Sequence, residues 1–98
     1  MAIEVKVTAN LQKLVGGQRS VTANGATVRE LLDDIEGRFP GFRGMVMTDG
    51  EIHRFVNIYL NDEDVRFLGK LDTSLKDGDV ISVLPALAGG SKRARRQL

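Results

Sequence analysis

No cysteine occurs in the 98 residues, which removes disulfides, thiolate metal sites and thiol nucleophiles together. If sulfur chemistry is involved, no side-chain thiol carries it. One histidine, His53, is present. That is too few for a histidine-based zinc site or for a serine–histidine arrangement backed by a second histidine, and in a polar loop it reads as a solvated residue. No apolar run of about 18 residues exists, so no membrane span is expected. The start of the chain, MAIEVKVTAN, lacks the basic-then-apolar pattern of a secretory signal. Cytoplasmic residence is the expectation.

What is present suits one small domain. Hydrophobic residues make up 42% of the chain, enough for a single modest core, and charged residues 28%, mixed in sign. The net charge of +1 conceals an asymmetry. Residues 91–98, SKRARRQL, hold Lys92, Arg93, Arg95 and Arg96 and no acid, which leaves ten bases against thirteen acids in residues 1–90. The body is mildly acidic and the end strongly basic.

Ile3, Val5 and Val7 alternate with Glu4, Lys6 and Thr8, the period of a strand with one buried face. After Gly16-Gly17 the chain resumes extended character over Gln18–Ala23, predicting an opening antiparallel hairpin. Thr27 and Glu30 form a capping box, in which the hydroxyl takes a helix N–H and the carboxylate reaches back to the cap's own N–H. A helix is expected from Val28. Its apolar stripe is Val28, Leu31, Leu32, Ile35 and Phe39, and it stops before Pro40-Gly41.

Phe42–Arg54 shows no clean period and reads as a loop with at most a short helical turn. Phe55–Leu60 reads as a strand, Asn61-Asp62 as a turn, and Val65–Phe67 as a short extended piece completing a second hairpin. Leu71–Leu75 resembles a short turn or helical piece. Lys76-Asp77-Gly78-Asp79 is a tight turn into a last strand, Val80–Leu84, ended by Pro85. A hairpin, one amphipathic helix, short strands and a final strand fit a mixed sheet wrapped on one main helix, because a single helix needs a single sheet face to cover it. The expected class is α+β, with the β-grasp architecture.

Ala86-Leu87-Ala88-Gly89-Gly90 is small and uncharged and has no periodicity, so it is expected to project from the fold. Pro85 to Gly90, fully extended, reaches roughly 20 Å. Without Cβ atoms Gly89 and Gly90 can pass through a narrow channel, and a Gly90 carboxylate would be unhindered toward a nucleotide phosphate. The plainer reading is a flexible Gly-Gly linker, and the pair alone does not decide between them.

The surrounding strings do more. His53-Arg54-Phe55-Val56-Asn57-Ile58-Tyr59, Asn61-Asp62-Glu63-Asp64-Val65-Arg66-Phe67, Lys76-Asp77-Gly78-Asp79 and Leu84-Pro85-Ala86-Leu87-Ala88-Gly89-Gly90 resemble the MoaD/ThiS family of prokaryotic ubiquitin-like sulfur carriers. The subgroup most resembled is the actinobacterial CysO type of cysteine biosynthesis. The resemblance covers residues 1–90. It implies a carrier and not an enzyme, with no cofactor bound by this chain. A ubiquitin-activating-enzyme-like adenylyltransferase would use ATP and magnesium to adenylate Gly90. A sulfurtransferase would then help convert Gly90 to a thiocarboxylate, which serves a sulfur-acceptor biosynthetic enzyme such as a pyridoxal-phosphate-dependent cysteine synthase. In the mixed anhydride with AMP, AMP is a good leaving group for that exchange. Ala88 and Gly89 would thread the tail. The family's active forms end at Gly-Gly, whereas this chain continues through Ser91–Leu98, so cleavage between Gly90 and Ser91 by a JAMM-type metalloprotease is the expectation. The chain is thus divided into a β-grasp domain (1–84), a flexible tail (85–90) and a basic extension (91–98).

Three further features carry weaker signals. Alternation along the last strand sends Ile81 and Val83 toward the helix and Val80, Ser82 and Leu84 outward, so Leu84 with Leu87 is a candidate partner-docking patch, set against the commonplace of scattered exposed apolar residues. The basic end has a rival reading as an RNA contact of a β-grasp binding module, but eight residues without an aromatic for base stacking favour a solvated or disposable extension. Asp62-Glu63-Asp64 lacks the ligand spacing of a calcium loop and reads as a solvated hairpin tip. A rival closer in mechanism is a protein modifier joined to target lysines through Gly90.

Overall fold

The computed structural model describes residues 2–85. Strand β1 (Ala2–Val7) buries every second side chain, as its alternation requires, with Ile3, Val5 and Val7 inward. Between it and β2 (Ser20–Asn24) the chain inserts a short helix, α1 (Ala9–Gln12), and a 3-10 turn (Lys13–Val15). The antiparallel pairing Ile3↔Ala23 and Val5↔Val21 is as expected, but the connection is larger than a hairpin turn. Leu11 and Val15 are the cause. Both are buried, and they fold the connection over the end of the core. Gly16 and Gly17 close it in left-handed conformations (φ +70° and +82°) that suit glycine.

Helix α2 (Val28–Arg38) begins where the capping box places it. Thr27 Oγ1 accepts from the Glu30 N–H at 3.2 Å. The return bond differs in one respect: the Glu30 carboxylate accepts from the Ala26 N–H (3.1 Å), not from the Thr27 N–H. Val28, Leu31, Leu32 and Ile35 are buried, and Phe39, just past the helix, packs against the core half-buried. The region expected to be a loop with at most a short helical turn contains that turn, α3 (Phe42–Val46), and also a two-stranded hairpin, β3 (Met47–Thr48) with β4 (Glu51–Ile52). Phe42 and Val46 are fully buried on α2, which is why that turn is helical.

β5 (Val56–Leu60) turns through Asn61 and Asp62, both left-handed (φ +46° and +79°), into the two-residue β6 (Glu63–Asp64). This is the two-residue primed turn that matches strand twist. The extended piece expected at Val65–Phe67 is instead a 3-10 turn. The Asp64 carboxylate captures the Arg66 N–H (2.9 Å) and Val65 is buried, so the chain bends back instead of running on as a strand. A further 3-10 turn at Lys70–Asp72 leads through the Lys76–Asp79 turn into β7 (Val80–Pro85), which includes Pro85, one residue beyond the expected end.

The five-stranded sheet has the order β2-β1-β7-β5-β6. β7 lies at its centre, parallel to β1 and antiparallel to β5. One face carries α2 and the core and the other is open. This is the mixed β-grasp sheet on one main helix. The edge strand β2 is not bare: the Arg38 guanidinium donates to Thr22 O (2.8 Å) and the Asn24 N–H donates to Asp34 (3.0 Å), while Arg38 and Asp34 pair with each other. Among the described residues no helix is long and apolar enough to cross a membrane.

Candidate functional site

The candidate site is the end of β7, the last described residues before Gly89-Gly90 in the sequence. Because β7 is held on both sides, its end is fixed from two directions: Val83 pairs with Val7 of β1 and with Ile58 of β5, and Leu84 and Pro85 continue opposite Asn57 and Val56. Ala86, Leu87, Ala88, Gly89, Gly90 and Ser91 lie outside the described residues, so the expected adenylation, threading and cleavage positions do as well. What the structure describes is their anchor.

Leu84 is on the open face, as alternation predicts, and is half-buried there across from Asn57. Its neighbours on that face are polar or charged as well as apolar: Ser82 lies between Lys6 and Tyr59, and Val80 is paired with Glu4. The docking patch expected of Leu84 and Leu87 can be placed only at Leu84.

Arg66 fixes the start of β5. Its guanidinium donates to Asn57 Oδ1 (2.9 Å), His53 O (3.0 Å) and Val56 O (2.7 Å). β6 pairs only with Tyr59 and Leu60, which leaves the Val56 carbonyl on an uncovered stretch of strand edge. The guanidinium fork takes the place of a strand there, and its planar donors are what let one side chain reach three acceptors. Val56 and Asn57 in turn are the partners of Pro85 and Leu84. Arg66 therefore steadies the root of the tail through β5.

On the helix side of that root is an apolar notch of about 210 Å³, lined by Leu11, Met45, His53, Phe55, Val56 and Pro85 among others. Met45 and Phe55 are 52% and 44% exposed, high for residues of their kind. Phe55 is held in place: its N–H donates to His53 Nδ1 (3.1 Å), its ring lies 5.5 Å from the His53 ring, and the Arg54 guanidinium sits 4.8 Å from its centroid. His53 is thus half-buried and engaged, not simply solvated as its loop position suggested. Neither the notch nor Arg66 was read from the sequence. The alternation of His53-Arg54-Phe55 just before a strand was the available signal for the first; nothing local signals the second.

Asp62-Glu63-Asp64 forms the expected hairpin tip, with Asp64 serving as a cap. Among the described residues no group of three or more His, Asp or Glu could hold a metal. A hollow of about 320 Å³ between α2 and the Lys70–Asp72 turn brings Arg29, Arg66 and Lys70 together, but Arg29 is paired with Asp72 (3.3 Å) and Arg66 with β5. Two carboxylates hold turns by accepting backbone N–H groups, and each is kept below its ordinary pKa as a result. For Glu36 the donors are Gly41 and Arg43; for Asp79 they are the Asn61 side chain, first in effect, and the Lys76 N–H.

Comparison with known proteins agrees with this geometry. The ThiS family profile matches residues 5–90, from the middle of β1 through the rest of the sheet to Gly90. The sulfur carrier protein CysO of Mycobacterium tuberculosis is 45% identical over 93 residues, covering 92% of this chain and all of the relative. Small archaeal modifier protein 3 of Haloferax volcanii is 36% identical over the same shares. Among solved structures, the carrier in the Amycolatopsis orientalis BexX/CysO complex superposes with a TM-score of 0.87 at 47% identity, covering 91% of this chain and all of that one. With its main helix, its last strand, the Gly89-Gly90 pair and all of the sheet but the first half of β1 within the match, the chain belongs to the ThiS family of sulfur carrier proteins.

Proposed function

We propose that this chain carries sulfur on the carboxyl group of Gly90, after removal of Ser91–Leu98, and delivers it to a biosynthetic enzyme in the cytoplasm. The observation that carries the reading is the family match, which runs through the rigid sheet to Gly90 and leaves Ser91–Leu98 outside it. In the proposed sequence a JAMM-type metalloprotease hydrolyses the Gly90–Ser91 bond. One oxygen of the freed carboxylate attacks the α-phosphorus of ATP, held with magnesium by a ubiquitin-activating-enzyme-like adenylyltransferase, and pyrophosphate leaves. The terminal sulfur of a persulfide on a sulfurtransferase then attacks the acyl carbon and expels AMP, and a thiol cleaves the S–S bond of the resulting acyl disulfide, leaving the thiocarboxylate and a disulfide. The acceptor is an enzyme of cysteine or related sulfur metabolism, the pyridoxal-phosphate-dependent cysteine synthase being the form suggested by similarity to CysO.

The part this chain plays is mechanical. Gly89 and Gly90 offer an end slim enough for a buried active site, β7 holds its root, and Leu84 presents a side chain beside it for the enzyme to grip. The test is intact-mass analysis of the chain ending at Gly90 after incubation with ATP, magnesium, the activating enzyme and a sulfur source. Replacement of one oxygen by sulfur is expected, and the full-length chain should gain none until trimmed. A full-length chain that gains sulfur refutes the cleavage step, and a trimmed chain that gains none refutes the carrier.

A second reading is favoured by the similarity to small archaeal modifier protein 3. Activation through Gly90 is the same, but the acyl group passes to a lysine amine of another protein. Isopeptide-linked Gly90 on other proteins, alongside a thiocarboxylate pool, would establish it.

A further inference from the structure

The geometry points to the notch of Met45, Phe55 and Pro85 as the surface on which the activating enzyme seats an apolar side chain flanked by a carboxylate, a second grip on the face opposite Leu84. This rests on the proposed carrier function and specifies how the partner holds the carrier.

From Pro85 to Gly90 inclusive the chain has six residues, which fully extended reach roughly 20 Å. An enzyme that brings Gly90 to a nucleotide phosphate in an enclosed site must therefore close down to Pro85 itself. Pro85 is a wall of the notch. The lip of any channel that admits the tail thus lies over the notch, and whatever that lip presents is set against Met45 and Phe55.

Met45 and Phe55 expose about half of their area around a hollow of about 210 Å³, large enough for one aliphatic or aromatic side chain, with buried Leu11 and Val56 at its base. Exposed aromatics clamped in one position are what interface anchors look like, because little side-chain freedom is lost when they are covered. Phe55 is so clamped, between the His53 ring and the Arg54 guanidinium. No acid lines the hollow, and Arg54 makes no ion pair among the described residues. A carboxylate on the partner, next to its apolar side chain, would answer that charge and be shielded from solvent by the covered ring.

The experiment uses the chain ending at Gly90, which keeps every residue of the described fold, and measures pyrophosphate release by its adenylyltransferase against carrier concentration. Met45→Glu and Arg54→Glu should each raise KM roughly tenfold or more, with kcat at saturation changed by less than about twofold, because neither residue reaches the reacting carboxylate. Arg54→Lys should recover most of the KM lost in Arg54→Glu. Thermal melting of each variant gives the parallel readout. Unchanged KM for both acidic variants, with the unsubstituted chain active, overturns the notch and leaves the carrier standing. A lowered melting temperature without a KM change assigns the notch to a contact within this chain and overturns it as well. So does a concentration-dependent dimer lost in Met45→Glu, which assigns it to a second copy. An unsubstituted chain that releases no pyrophosphate overturns both readings together.

Discussion

Replacing Arg66 by methionine keeps most of the aliphatic stem and removes only the fork that caps β5. Three acceptors lose a donor, but not equally. His53 O keeps the Val56 N–H as a partner (2.9 Å), and Asn57 is half-buried on the open face, where water can reach its side chain. Val56 belongs to the core, 7% exposed, and its carbonyl loses its 2.7 Å bond to a charged donor. Leaving such a group unsatisfied costs about 1–3 kcal/mol, and the two weaker losses add about 1 kcal/mol between them. The expected destabilisation is therefore about 2–4 kcal/mol, a sizeable share of the roughly 5–15 kcal/mol that holds a domain together. Urea unfolding followed by far-UV circular dichroism measures it. In a domain of this size each kcal/mol also lowers the melting temperature by about 4–8 °C. Arg66→Lys should recover less than half, since an ammonium lacks the planar fork. The effect should also be polarised: amide exchange should quicken at the Val56 and Leu84 end of the β5–β7 ladder more than at the Leu60 and Ile81 end. A loss under about 0.5 kcal/mol, within the range of an ordinary surface change, or exchange raised evenly along the ladder, would refute the argument that Arg66 steadies the tail's root.

Thr27→Ala removes the hydroxyl that accepts the Glu30 N–H and should cost about 1 kcal/mol in urea unfolding, with Thr27→Ser close to neutral. Gly25→Ala should be worse, by about 1–3 kcal/mol, since a Cβ there would lie 2.5 Å from the Leu31 backbone N, an atom of α2 that cannot swing aside; an unchanged unfolding midpoint would contradict that close approach. Asp79 is held below the ordinary aspartate value of 3.8 by the Asn61 side chain and then by the Lys76 N–H. As pH falls the unfolded chain takes up this proton first, so the contribution is complete above that value and is lost as pH falls through it toward the lower folded value. Asp79→Asn should flatten the decline in melting temperature on the acid side, and a decline as steep as that of the unsubstituted chain would show that Asp79 contributes nothing to it.

Where local sequence and tertiary structure ask for the same thing, the fold was legible. Ile3, Val5 and Val7 needed only the pleat, and Thr27 with Glu30 placed a helix start to the residue because a cap is a bond within four positions. Val65–Phe67 misled for the opposite reason. A β-branched residue and an aromatic suggest a strand, but the Asp64 carboxylate and the reach of Arg66 back to β5 are worth more than that propensity. β3 and β4 are too short to show alternation, yet their turn, Asp49-Gly50, carried the Asp-Gly hairpin signal, and both residues are left-handed (φ +55° and +78°). Helix α1 was hidden because Leu11 and Val15 answer to a core assembled from distant strands. For the site, Leu84 could be placed by counting along β7, whereas the notch joins residues from α1, α3, β5 and β7 that no single stretch of sequence brings together.

The side chains that occupy the sheet's margins have a consequence for how such a molecule travels. Arg38 and Asp34 take the outer backbone groups of Thr22 and Asn24, and Arg66 takes that of Val56. The β2 flank and the stretch of β5 beyond β6 are thus occupied, and the other edge strand, β6, is only two residues long, so little ladder is left for a neighbour's strand to climb, the ordinary route by which small sheets clump. On the proposed function, a carrier passed from one enzyme to another would gain from flanks that stay shut, because its copies would not compete with those enzymes for its own surface.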